Sequence, residues 1–118
     1  HNPAGARALA AYIRRFFRTE SEPLRIIYGA MRDKAVDEVI GTLFPLAAEV
    51  ILTAPDQPRA LNPESLAGVS AGVSDHPNVR VAATIADALR MSLDKPMPTF
   101  VTGSLFLVGE ARAAFHML

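Results

Sequence analysis

Three short stretches carry residue types able to hold a small anionic or zwitterionic molecule: Gly29-Ala30-Met31-Arg32-Asp33-Lys34, the 54–59 segment ending in Arg59, and Thr102-Gly103-Ser104. In the last, glycine permits close backbone approach and the serine stands at a helix start, whose unpaired N–H groups favour a carboxylate or phosphate. Ser104 is equally suited to capping its own helix. In the first, Lys34 offers a cation for a carboxylate, with Asp33 able to orient it or to contact an amine. The plainer alternative makes Asp33 a helix cap and Lys34 a solvated side chain. Arg59 could reach a phosphate or simply sit in solvent. His1 precedes a helix N-terminus and could donate to phosphate oxygens, although a first residue is weak ground for a role.

Several chemistries find no support. His76 reads as a turn residue and His116 as a surface one, and the histidines lack H-x-x-x-H or H-x-x-E spacing, so no metal site is expected. There is no G-x-x-x-x-G-K-[ST] loop, no G-x-G-x-x-G after a strand and no G-x-S-x-G elbow. With no cysteine, a disulfide framework and a thiol nucleophile are both excluded. Twelve basic residues balance twelve acidic ones, so no net field recruits nucleic acid or an anionic membrane, and neither is expected as a partner. No apolar run approaches the ~20 residues that cross a bilayer. A cytoplasmic setting is expected. The 118 residues suit one domain, and the opening His1-Asn2-Pro3, without methionine, reads as that of a fragment.

The elements that must position these stretches alternate along the chain. Ala6, Leu9, Ala10, Ile13, Phe16 and Phe17 recur at helical spacing within 3–18, with Asn2 as cap and Pro3 in the first turn. A β-rich run over 24–28 ends at Gly29. A helix is expected over 34–44, stopped by Pro45, then a strand over 49–53. Asn62-Pro63 repeats the cap-then-proline start for a helix to about 69. A strand over 79–83 leads to Thr84 and Asp87, a T-x-x-D helix start running through 92. The last pair is a strand over 99–102 and a helix bearing Leu105, Val108, Ala111 and Phe115. The strands are continuously apolar and too far apart in sequence for tight hairpins. The expected fold is therefore α/β, a three-layer α/β/α sandwich around a mostly parallel, Rossmann-like sheet. Ligands of such sheets gather at the carboxyl ends of the strands, where all three polar stretches fall.

In order and spacing these stretches resemble the C-terminal domain of folylpolyglutamate synthase and its dihydrofolate synthase relatives, within the Mur ligase family. His1-Asn2-Pro3-Ala4-Gly5-Ala6 is similar to the end of that family's Asp-Gly-Ala-His-Asn-Pro motif, and Gly29 to Lys34 resembles its Gly-x-x-x-Asp-Lys segment. Ala54-Pro55 through Leu61, followed by Pro63-Glu64-Ser65-Leu66, is similar to its central loop and helix. Thr102-Gly103-Ser104-Leu105-Phe106-Leu107-Val108-Gly109-Glu110 is close to its Thr-Gly-Ser-Leu-Tyr-Leu-Val-Gly-Glu. The resemblance runs over nearly the whole chain.

The resemblance implies ATP-driven amide formation. A carboxylate of a folate, or of dihydropteroate in bifunctional members, is phosphorylated, and the amine of L-glutamate displaces the phosphate. ATP and Mg2+ are the implied cofactors, with their ligands mainly on an N-terminal ATPase domain of the same polypeptide. On this chain the resemblance implies a catalytic, phosphate-facing His1, with Asn2 and Arg59 near the nucleotide. Asp33, Lys34 and Ser104 would bind glutamate, and Thr102 and Gly103 would shape the turn that presents Ser104. The family domain also begins with strand structure upstream, so this sheet is expected to lack its first strand or strands. The alternatives are a Mur ligase that adds an amino acid to a cell-wall nucleotide, and a non-catalytic α/β binding module. The isolated chain is expected to be inactive.

Overall fold

A computed structural model describes residues 2–32, 35–74, 76 and 78–115. Helix α1 (Pro3–Phe16) starts as its sequence requires: Asn2 is extended, and its Oδ1 accepts a hydrogen bond from the Gly5 amide at 2.8 Å. Strand β1 (Arg25–Gly29) is buried along its whole length, as is β2 (Glu49–Leu52). Helix α2 (Val36–Leu43) passes into a 3₁₀ turn at Phe44–Leu46, where Pro45 has no amide to continue the α-helical ladder. Helix α3 (Pro63–Val73) is capped by Asn62, whose Oδ1 accepts from Glu64 and Ser65. It runs four residues past the expected 69. Strand β3 (Val79–Val81) is short, and α4 (Ile85–Ser92) begins with Thr84 accepting from the Asp87 amide, as its T-x-x-D start predicts. Strand β4 (Thr99–Gly103) and helix α5 (Leu105–Phe115) complete the order.

The four strands are all parallel, in the order β3-β2-β1-β4. Alternation along β1 and β2 sends Ile26, Tyr28, Val50 and Leu52 to one face and Ile27 and Ile51 to the other. The first face packs on Ala6, Ala10 and Ile13 of α1, Val39, Ile40 and Leu43 of α2, and Leu66 of α3. The second packs on Ile85, Ala88 and Leu89 of α4 and Leu107 and Ala111 of α5. This is the expected three-layer α/β/α sandwich.

The crossovers share one hand. From β1 through α2 to β2, and through α3 to β3, the chain steps one way with its helices on one face. From β3 through α4 to β4 it steps back with the helix on the other face, as the right-handed rule demands.

The predicted apolar stripe of α1 needs one correction. Phe16 lies on it by spacing, yet it is 60% exposed and stacks with Tyr12, centroids 4.8 Å apart. The helix ends there. Phe17, already extended, turns its ring edge-on to Phe100 of β4 at 5.5 Å. His76 is pinned as well as turned: its Nδ1 accepts from the Asn78 amide at 3.1 Å, so Nε2 carries the proton and donates to the Ala47 carbonyl at 2.6 Å.

At the amino ends of the strands sits a charged cluster that the sequence does not announce. Arg25, 1% exposed, donates to Glu49 at 3.3 Å and to the carbonyls of Ser92 and Lys95, and Arg80 also donates to Glu49. Burial would raise the Glu49 carboxyl, but hydrogen bonds from Arg80 and Arg25 outweigh that and hold it below its ordinary value of 4.5. A lowered folded value means that the unfolded chain takes up the proton first on acidification. The cluster's contribution is therefore present above the ordinary carboxyl range and is lost as pH falls through the folded value. Stability measured by denaturant titration should decline below about pH 4.5, and Glu49→Gln should flatten that decline.

Candidate functional site

The carboxyl ends of β1, β2 and β4 converge at one end of the sheet. Gly29 and Gly103 are register partners, and beyond them the Ser104 amide donates to the Gly29 carbonyl at 2.9 Å. Thr53, just past β2, donates its amide to the Tyr28 carbonyl at 2.9 Å. Both glycines are forced by this crowding. A Cβ on Gly29 would lie 2.8 Å from the Thr53 carbonyl oxygen. Gly103 has φ +114°, and a Cβ there would fall 1.9 Å from the Gly29 carbonyl oxygen. No side chain fits.

Ser104 is 8% exposed, and its hydroxyl oxygen accepts from the Phe106 amide at 3.1 Å. The self-capping alternative is therefore realised: Ser104 closes the first turn of α5, and its carbonyl accepts from Val108. Capping does not use up the helix start. The remaining first-turn amides have no place in the helical ladder, and the partial positive charge of the helix end stays directed outward.

A cavity of about 180 Å³ opens there, between Tyr28, Ala30 and Met31 on one side and Gly103, Ser104 and Phe106 on the other. Tyr28 is 2% exposed, and burial pushes its hydroxyl pKa up to about 12, so it stands as a neutral wall at any physiological pH. A larger apolar groove, of about 510 Å³, lies away from this end. It is bounded by Leu89, Pro96, Met97, Val101, Val108 and Ala111, and is an open margin of the second core where the sheet stops at β4.

The loop after β2 is tied to the lip after β1. Arg32 donates its amide to the Arg59 carbonyl at 2.9 Å, Leu61 donates to Ala30 at 2.8 Å, and Met31 and Ala60 form an isolated antiparallel bridge. The Arg32 guanidinium adds a bond to the Pro58 carbonyl at 3.1 Å. Thus the three stretches singled out by sequence meet at one rim. The lip closes on the start of α5, and the 54–61 loop braces the lip.

The individual predicted residues fare differently. Gly103 and Ser104 form the turn and helix start as described, and Thr102 pairs with Tyr28 across β1. Arg59 is exposed on the bracing loop, with its backbone against Arg32. Asn2 is exposed and its side-chain oxygen is spent on the Gly5 amide. Because α1 runs back to the start of β1, its cap lies toward the same end of the sheet. His1, Asp33 and Lys34 lie outside the described residues, so neither the catalytic expectation for His1 nor the glutamate contacts of Asp33 and Lys34 has a geometry here. The last described residue before the pair, Arg32, belongs to the braced lip.

Sequence reasoning missed Tyr28, Ala30 and Met31 as walls, and it missed Glu110. The Glu110 carboxylate accepts from the Asp56 amide with its two oxygens at 2.8 and 3.1 Å. Nothing in the local pattern marks a helix carboxylate as the partner of an amide 54 residues away. Among the described residues no group of three histidine, aspartate or glutamate side chains comes together to hold a metal, and no helix is long and apolar enough to cross a membrane.

Residues 1–104 match the family described as Mur ligase, glutamate ligase domain. A probable bifunctional folylpolyglutamate synthase/dihydropteroate synthase of Haloferax volcanii is 33% identical over 98% of this chain, which spans 14% of that protein. The dihydrofolate synthase/folylpolyglutamate synthase of Mycobacterium tuberculosis is also 33% identical over 98% of the chain, which spans 26% of it. Among solved structures, Mycobacterium tuberculosis folylpolyglutamate synthase complexed with ADP and AMPPCP superposes with a TM-score of 0.85 at 31% identity, covering 98% of this chain and 28% of its own. The chain thus spans between 14% and 28% of the length of these relatives.

Proposed function

The chain belongs to the Mur ligase glutamate ligase domain family, and on that premise we propose that it is the amino-acid-binding, C-terminal domain of an ATP-dependent ligase joining L-glutamate to a folate. One observation carries the reading: the lip that leads into Asp33-Lys34 closes against the start of α5 across Gly29 and Gly103, leaving a small cavity beside Ser104. Such a corner suits an amino acid with two carboxylates. One would take the outward-facing amides of α5, and the other the ammonium of Lys34. Asp33 would contact the incoming amine.

The reaction needs that amine neutral and aimed at an activated carboxyl carbon. As the new C–N bond forms, the acyl–oxygen bond to phosphate breaks and phosphate leaves, with the amine proton passing to a base. His1 is the residue of this chain offered for work near the phosphates. What the present residues contribute is position: a bound amine at near-attack distance is worth far more than a dissolved one. ATP and Mg2+ would supply the activating phosphoryl group and neutralise its charge. Their ligands are assigned mainly to an N-terminal ATPase domain of the same polypeptide, as the family likeness implies. Asn2, Arg59 and His1 are this chain's offering toward the nucleotide. A folate or dihydropteroate acceptor and a cytoplasmic setting complete the reading.

The domain acts within a longer polypeptide. Its relatives are several times longer, and the sheet has a place for more chain. β4 has no partner on its far edge among the described residues. Both flanks of that edge are apolar, with Phe17 against Phe100 on the α1 face and the large groove on the α5 face. Helix α1 shares its face with α2 and α3, so a strand leading directly into α1 must step toward β1 in the direction that β1 steps toward β2. One-handed crossover therefore puts such a strand beyond β4, parallel to it, on the open edge.

The test uses the full-length protein, assayed for phosphate release dependent on both L-glutamate and a folate. Lys34→Ala should raise the KM for L-glutamate roughly thirtyfold, about 2 kcal/mol of lost charge-assisted binding, and leave nucleotide affinity unchanged. Turnover with a cell-wall nucleotide in place of folate would favour the other Mur ligase branch. An unchanged glutamate KM in both Lys34→Ala and Ser104→Ala would remove the amino-acid site from this chain.

A further inference from the structure

Among the groups near the rim that the proposed function leaves unused, Glu110 has a partner across the sheet: the Asp56 amide. It stands in the second turn of α5, the helix that starts at the candidate site. Both its oxygens face the Asp56 amide, so the carboxylate receives a shared, charge-assisted hydrogen bond from the 54–61 loop. The far half of that loop is the part bonded to Ala30 and Arg32. α5 therefore holds one end of the loop, the lip after β1 holds the other, and the lip runs directly into Asp33-Lys34.

We propose that Glu110 is a positioning residue for amino-acid binding: by clamping the loop to α5 at Asp56 it fixes, through the loop, the distance between the lip and the start of α5. This rests on the amino-acid site proposed above, and it assigns Glu110 no contact with substrate. The carboxylate is well chosen for the task. A loop between a strand and a helix closes on itself only through weak turn bonds, such as Gln57 to Pro55 and Ala60 to Gln57, and these do not tie it to the layer across the sheet. Glu110 reaches it from the opposite layer, since α5 packs on the second face while α3, into which the loop runs, packs on the first.

The experiment combines kinetics and amide hydrogen exchange on the full-length protein. Glu110→Ala should raise the KM for L-glutamate about tenfold, with kcat kept within about threefold. Exchange should accelerate in the peptides covering 54–61 and 30–32 while β1 and β2 stay protected. Glu110→Gln, whose amide oxygen still accepts from Asp56, should lie within about threefold of the parent in both constants. If the alanine variant fails to fold, Glu110→Asp, too short to reach, takes its place with the same expectations. Unchanged exchange in the loop would refute the clamp. Faster exchange with an unchanged KM would refute its role in binding, and equal losses in the glutamine and alanine variants would refute the acceptor chemistry. A full-length protein that turns over no glutamate at all sinks the ligase reading itself, an outcome distinct from the exchange result.

Discussion

Gly103→Ala is expected to cost the domain about 4 kcal/mol and to abolish the amino-acid binding proposed for it, because two penalties fall on one methyl group. The φ of +114° is disfavoured for any side chain, and the new Cβ would collide with the Gly29 carbonyl oxygen, part of the backbone, which cannot rotate away. Relief requires β4 to part from β1 where Ser104 donates to that same carbonyl, so the start of α5 would move with it. Thermal denaturation of the 118-residue chain should show a drop of roughly 10–20 °C for this variant. Gly109→Ala is the matched control. It sits inside α5 with nothing within 4 Å of the place an added methyl would take, so the gain in helix propensity should leave it as stable as the parent or slightly more so. Equal behaviour of the two variants would mean that the strand ends are not crowded as described.

The second large effect is expected at the opposite end of the sheet. Arg25→Ala removes the guanidinium that joins β1 to Glu49 of β2, to Thr99 of β4 and to the carbonyls of Ser92 and Lys95. Glu49, 8% exposed, would keep Arg80 as its one described cationic partner, and two carbonyls would lose a donor. Removing one member of a buried ion pair costs about 3–5 kcal/mol, most of it from the groups left behind. The same denaturation measurement reads it. Glu49→Gln in the Arg25→Ala background should recover part of the loss, since the amide does not need a buried cation. No recovery would place the effect in the lost packing of the arginine stem instead.

The two predictions also separate stability from function within one small sheet. Arg25 acts at the amino ends of the strands, far along β1 from Gly29, and it orders the connector between α4 and β4. Gly103 acts at the carboxyl ends, where the same strand register brings the candidate rim together. A functional assay of mildly destabilised Arg25 variants at low temperature should therefore find the glutamate KM little changed. A parallel α/β sheet gathers its ligand-facing loops at one end and leaves the other to structure.

Much of this was written in local residue order. Cap-then-proline at Asn2-Pro3 and Asn62-Pro63, the Thr84 start, and the apolar runs of β1 and β2 each act over a few residues, so the elements and the parallel, layered fold followed from the chain alone. So did the polar strand ends and the likeness of Thr102-Gly103-Ser104 to a glutamate ligase, because a turn that admits only glycine leaves its mark in sequence. Tertiary structure decided what depends on distance across the sheet. It exposed Phe16 beside Tyr12 and buried Arg25 among carbonyls from a distant connector. It set Gly103 against the Gly29 carbonyl and put Glu110 beneath Asp56. Periodicity reports which way a side chain points from its own element. Only the packing of elements reports what it meets there, and at this rim the meeting of three strand ends makes the candidate site.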